Sequence, residues 1–256
     1  MKKISAIVLL LCLALTVFSG CSQPPELDEV KDELVELLTL ANAVDDLLFG
    51  KGPVTEYEAS GVYTEYTDEV KRLESYYADT EDNFTMFYSP VLATVTDDKG
   101  NEVKQVSSIA EIKKLAERVY TANFLSKVYR NIFEKTVVAV GSNSAVVRPR
   151  YREYTDPETG VTTLYKYNFL SENDMEFIES VGGHAKYDVG TMKIVRPSDA
   201  DTLIVEITAN YLDYEFVTVA NDEYAVEKQP KGYSDHTKKI YFEKENGKWR
   251  LDAAIY

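Results

Sequence analysis

Glu243-Lys244-Glu245-Asn246-Gly247-Lys248-Trp249-Arg250-Leu251-Asp252 decides the fold. Asn-Gly is the dipeptide that tolerates positive φ at both central positions of a two-residue hairpin turn. It predicts that residues 238–243 and 249–255 pair as a terminal antiparallel hairpin. Working back from that hairpin, the apolar period stays at two as far as Val137. Residues 137–140 are apolar and β-branched, and residues 145–154 read as extended. Asp156-Pro157-Glu158-Thr159-Gly160 turns that strand into residues 161–168. Residues 192–196 and 203–208 flank another turn, Pro197-Ser198-Asp199-Ala200.

The first half of the chain has a different period. Leu27, Val30, Leu34, Leu37, Leu38, Ala41, Val44 and Leu48 recur at helical spacing, which predicts a helix over about 27–49. Glu26, Asp28, Glu29, Asp32, Glu33 and Glu36 crowd its opening turns, where carboxylates favour the helix dipole; they read as a solvated face rather than metal ligands. Gly50-Lys51-Gly52-Pro53 stops it. Val70, Leu73 and Tyr76 or Tyr77 suggest a short helix. Asp97-Asp98-Lys99-Gly100-Asn101 reads as a hairpin turn, because its acids lack the alternating spacing of a calcium loop. Ser108-Ile109-Ala110-Glu111 is a capping box that opens a second helix. Thr121 caps a third, with Phe124, Leu125, Val128, Tyr129, Ile132 and Phe133 facing inward; the two helices are either separate or one kinked segment.

The expected fold class is therefore α+β. Residues 26–256 form one domain, helical over about 26–135 and β over about 136–256, with helices on one face of a curved antiparallel sheet. The wording of the final hairpin resembles that of nuclear-transport-factor-2-like, cone-shaped α+β domains in secreted bacterial proteins. The order of elements over residues 105–256 is similar to that of uncharacterised Firmicutes lipoproteins, distantly the D,L-endopeptidase inhibitor family of the cell wall. The resemblance implies that Trp249 packs on the helix layer. It carries no catalytic residue, and the superfamily includes enzymes, binding modules and inhibitors.

At the other end, Lys2 and Lys3 precede an apolar run over residues 4–17, of signal-peptide length and too short to span a bilayer. The run closes on Phe18-Ser19-Gly20-Cys21, which resembles the bacterial lipobox, with Phe18 where Leu is usual. The resemblance implies that residues 1–20 are a cleaved lipoprotein signal peptide. Cys21 is then the lipidated first residue, and residues 21–25 are a short tether to the membrane. The chain has two cysteines, and Cys12 leaves with the signal, so the mature chain has no disulfide and no cysteine nucleophile. Losing Lys2 and Lys3 takes the net charge from −15 to −17. An acidic body is repelled by nucleic acid and by anionic lipid, so nucleic-acid partners are excluded and the acyl chains do the anchoring. The expected location is the extracytoplasmic face of the cell membrane.

Residues that carry chemistry are sparse. The two histidines, His184 and His236, fall in apparent loops and read as surface residues. No phosphate loop, nucleophile elbow or zinc-type helix is present. No catalytic residue, metal site or cofactor is assigned. Arg148, Arg150 and Arg152 alternate, which on a strand puts them on one face as a basic stripe in an acidic protein. With Tyr151 they are the candidate ligand-binding residues, suited to a carboxylate, a wall phosphate or an acidic partner. The plainer reading is pairing with carboxylates such as Glu153 or Asp174. Nineteen tyrosines, clustered in the β half, suit either recognition or the half-buried positions of a sheet. Three functions remain open: a non-enzymatic binding or inhibitory module for a cell-envelope ligand or protein, a small cone-fold enzyme with one pocket carboxylate, and a purely structural envelope protein.

Overall fold

The computed structural model of the chain describes residues 23–60, 87–97, 99–134, 136–140, 143–168, 186–218 and 226–255. The expected signal, Cys21, the short helix around Val70, Asp174 and His184 lie outside the described residues.

Helix α1, Leu27–Leu48, opens with Asp28 and Glu29 in its first turn, and the Glu29 carboxylate accepts the Glu26 N–H at 3.3 Å. Its buried stripe is Val30, Leu34, Leu37, Leu38, Ala41, Val44 and Leu48, as the periodicity required, and one buried acid, Asp45, interrupts it. A four-residue helix, α2 (Glu56–Ala59), follows, capped by Thr55. Short strands β1 (Tyr88–Pro90), β2 (Thr94–Thr96) and β3 (Glu102–Lys104) come next, β2 and β3 forming the hairpin expected around Gly100.

Helix α3, Ile109–Val119, takes its cap from the Ser108 hydroxyl, which accepts the Glu111 N–H at 3.1 Å. The expected capping box closes only in part. The Glu111 carboxylate reaches one residue further back, to the N–H and hydroxyl of Ser107 at 2.7 and 2.9 Å. Tyr120 is extended, so α3 and α4 (Ala122–Phe133) are separate helices. The Thr121 hydroxyl caps α4 by accepting the Phe124 N–H at 3.1 Å.

The described strands of the β half pair antiparallel with one another. Strands β4 (Thr136–Val140) and β5 (Asn143–Val147) form a hairpin. Strands β6 (Tyr151–Thr155) and β7 (Thr162–Tyr167) join β1 in a three-stranded sheet of order β1-β7-β6. Strands β8 (Lys186–Val195), β9 (Thr202–Thr218), β10 (Val226–Glu245) and β11 (Lys248–Leu251) form a four-stranded sheet of order β11-β10-β9-β8. The last hairpin turns on Asn246 and Gly247, both at positive φ, 51° and 77°. Strands β9 and β10 run well beyond the expected 203–208 and 238–243. Gln229-Pro230-Lys231-Gly232 looks like a break in the sequence, yet the ladder absorbs it as a bulge between Pro230 and Gly232. His236 therefore lies within β10, not in a loop.

Helices α1, α3 and α4 pack against the sheets in an α+β layer arrangement. One buried cluster joins α1, α3 and α4 to Tyr151, Leu164, Met192, Leu203, Val205, Ile207, Ile240, Phe242, Trp249 and Leu251. Trp249 sits at the helix–sheet seam. It is 1% exposed, its backbone N–H donates to the Glu33 carboxylate of α1 at 3.3 Å, and Lys244 lies over its ring at 5.1 Å. The same hairpin meets the α3–α4 junction, where the Thr121 N–H donates to the Leu251 carbonyl at 2.9 Å and its hydroxyl to Asp252 at 2.6 Å. Trp249→Ala should lower stability by about 3–5 kcal/mol in urea titrations, as expected for deletion of a fully buried indole.

Candidate functional site

A long helix that ends inside a protein leaves its last carbonyls without intrahelical donors, and buried carbonyls must be satisfied. The expected ligand-binding residues meet that need. Strand β6 begins only at Tyr151. Arg148 and Arg150 therefore lie in the segment leading into it, and Arg152 alone is within the strand. The expected single-face stripe is not formed. Arg148 stacks on the Phe87 ring with its guanidinium carbon 4.2 Å from the centroid, and Arg152 lies over Tyr88 at 5.6 Å. Arg150 donates to the carbonyl of Gly50, just past α1, and its Nε lies 3.3 Å from the Tyr151 hydroxyl. Tyr151 is wholly buried, and its hydroxyl donates to the Leu47 carbonyl at 2.7 Å.

Lys166 of β7, which sequence reasoning passed over, completes this cluster. It is 5% exposed, and its ammonium donates to the carbonyls of Lys51 and Pro53 at 2.9 and 2.7 Å and pairs with Glu58 at 2.8 Å. Burial pushes the Lys166 ammonium below the ordinary lysine range, while Glu58 works in the opposite direction. Glu58 is placed by α2, where it also accepts the Thr55 N–H at 2.8 Å. Gly52, at φ +68°, brings the loop in close: a Cβ there would meet the Tyr151 hydroxyl at 2.4 Å. Cations at a helix C-terminus also suit the dipole. The cluster is a clamp on the end of α1.

A second cluster surrounds Asp45, one turn before that end. It is 2% exposed and accepts the Tyr120 hydroxyl. Desolvation pushes its pKa from 3.8 to about 7, although the Tyr120 hydroxyl and the Ile255 backbone pull the other way. The Ile255 carbonyl in turn accepts the Tyr187 hydroxyl at 2.5 Å, with the Tyr211 hydroxyl 3.4 Å away. Burial raises the pKa of both phenols. The position of Asp45 at helical spacing within an apolar stripe was the only sequence signal for this cluster.

Beyond Ile255 the inner face of the four-stranded sheet changes chemistry. Partners across an antiparallel ladder share a face. Leu203, Val205 and Ile207 of β9 are buried there with Ile240 and Phe242 of β10. Further along the same face come Lys238, His236 and Ser234 on β10, paired with Ile207, Ala209 and Tyr211 on β9. The Lys238 ammonium lies 4.5 Å over the Tyr211 ring, and the Ser234 hydroxyl is 2.8 Å from His236 Nε2. A depression of about 90 Å³ opens here, lined by Tyr187, Tyr211, Lys238, Tyr241 and residues 253–255. Tyr241 and Tyr233 alternate with Lys238, His236 and Ser234, so they lie on the opposite face of β10, 51% and 60% exposed. Among the described residues no group of three His, Cys, Asp or Glu side chains converges on a common metal position.

No protein-family model, curated protein or solved structure matches this chain.

A carboxyl whose pKa is higher folded than unfolded supports folding in its protonated form. Asp45 should contribute stability below about pH 4, and that contribution should disappear as pH rises toward 7. In paired denaturations, the native chain should lose on the order of 4 kcal/mol relative to Asp45→Asn between pH 4 and pH 8.

Proposed function

We propose that this chain is a membrane-anchored extracytoplasmic lipoprotein that acts as a non-enzymatic binding or inhibitory module for a cell-envelope ligand or protein. The observation that carries the binding part is the open end of the inner sheet face. There the apolar core gives way to Tyr187, Tyr211 and Lys238 around a depression bordered by residues 253–255. Tyrosine offers broad apolar contact with a hydroxyl at its rim, and few rotamers are lost on binding. Lys238 adds a positive charge to a chain of net −15. This face takes the role expected of Arg150 and Tyr151, which are spent on the carbonyls of Gly50 and Leu47. A helix layer against an antiparallel sheet is the arrangement that a cone-like, nuclear-transport-factor-2-like domain requires.

The anchoring part rests on Lys2, Lys3, the apolar run and Cys21. Helix α1 starts at Leu27, so Ser22-Gln23-Pro24-Pro25 separates the lipidated residue from the fold by a tether of roughly 13 Å. The binding face then works close to the bilayer, among envelope ligands.

A second reading, a small cone-fold enzyme with a pocket carboxylate, has the raised pKa of Asp45 in its favour. Against it, Asp45 is enclosed, and its carboxylate already accepts from Tyr120.

In a bacterial host given a radiolabelled fatty acid, the native chain should incorporate label and sediment with membranes. Cys21→Ser should take up no label and leave the membrane fraction. Equal labelling of both chains, or recovery of the native chain in the cytosol with residues 1–20 intact, would refute the anchoring reading.

A further inference from the structure

The ladder register of the four-stranded sheet sorts its charges by face. Partners across an antiparallel ladder share a face, and neighbours along a strand alternate between faces. From Leu203 to Tyr211 on β9 and from Ser234 to Phe242 on β10, the acids are Glu206 and Asp235, and both fall on the outer face. Glu206 pairs there with Lys193, and Asp235 accepts from Asn210 at 2.8 Å. The inner face over the same span carries no acid. At its open end it carries His236 and Lys238, both exposed, in a chain with 43 acidic residues against 28 basic ones.

These two side chains are held in place. The Lys238 ammonium lies 4.5 Å over the Tyr211 ring, a cation–π contact. The His236 ring meets the same tyrosine in a T-shaped contact at 6.1 Å, and its Nε2 is 2.8 Å from the Ser234 hydroxyl. Tyr211 is itself seated, with its hydroxyl 3.5 Å from that of Tyr187 and 3.4 Å from the Ile255 carbonyl. Among the described residues Lys238 makes no ion pair. A cation ordered in advance, with its charge unspent and a second basic residue beside it, binds an incoming anion at low entropic cost.

We propose that this end of the inner face is an anion site, in which Lys238, with His236 beside it, receives the carboxylate or phosphate of an envelope sugar. The depression of about 90 Å³ between Tyr187, Tyr211, Lys238 and residues 253–255 has the room of about three waters. That suits an anionic head and excludes a whole sugar ring, so the ring stays at the mouth. The anchoring reading places this face near the bilayer, where sugars bearing a carboxylate or a phosphate are the anions at hand. The assignment rests on the binding reading above and names its ligand class.

The test titrates the full-length chain with N-acetylglucosamine, with its phosphate ester on the primary hydroxyl and with N-acetylmuramic acid. The three share one ring and carry no charge, a phosphate and a carboxylate. The native chain should bind at least one charged sugar about tenfold more tightly than the neutral one. Salt at about 0.5 M should remove most of that difference. Lys238→Met keeps the stem at an exposed position, and with native far-UV circular dichroism it should bind all three alike. Lys238→Arg should keep the preference. The tighter of the two charged sugars identifies the head. A native chain that binds all three alike, or a Lys238→Met chain that keeps the preference, overturns the anion site and leaves the binding face standing. A native chain that ignores all three at millimolar concentration overturns both. The fatty-acid labelling result is independent of these outcomes.

Discussion

The structure depends on how α1 ends. Its apolar stripe buries it against α3 and the four-stranded sheet, so its last turn and the loop at residues 49–53 arrive beside the three-stranded sheet with carbonyls that need donors there. The carbonyls of Leu47, Gly50, Lys51 and Pro53 find donors in Tyr151, Arg150 and Lys166, all delivered by β6, β7 and the residues leading into them. Each unmade bond of this kind would cost about 1–3 kcal/mol, a large share of a domain's net stability. The three-stranded sheet is therefore fixed to α1 by polar contacts as much as by packing. Glu58 keeps the Lys166 charge from standing alone, since an unpaired buried ammonium is far more costly than a paired one.

The same helix end organises the other side of the molecule. Asp45 lies one turn back and faces Tyr120 and the residues that follow β11, whereas the clamp faces β6 and β7. One helix terminus thus serves two polar clusters of different character. The clamp uses cations to satisfy carbonyls and is closed. The Asp45 cluster joins a carboxylate to the Tyr120 hydroxyl and borders an opening, and for that reason we place ligand binding there.

Much of the fold was legible in the residues. The stripe from Val30 to Leu48, the Ser108 and Thr121 caps, the Asn246-Gly247 turn and the antiparallel β half all follow from local rules, and Trp249 does pack on the helix layer. What failed did so for tertiary reasons. Strand β10 starts well before the expected residue 238, because a local rule cannot know that a long partner, β9, will carry the ladder through a bulge between Pro230 and Gly232. The arginines look like a stripe because alternation is visible in sequence, while the break in the strand at residues 148–150 is not. Lys166 gave no signal, since an isolated lysine in a strand reads as solvent-facing until the loop at residues 50–53 is known to lie over it. Asp45 gave a weak one, as an acid inside an apolar stripe.

The central claim is that Arg150 and Lys166 serve the end of α1 rather than a ligand. The most direct measurement is urea denaturation of full-length Lys166→Met, which keeps the aliphatic stem and removes the donor. The account predicts a loss of about 2–4 kcal/mol, because the Lys51 and Pro53 carbonyls lose their partner and Glu58 loses its cation. A variant as stable as the native chain would contradict it.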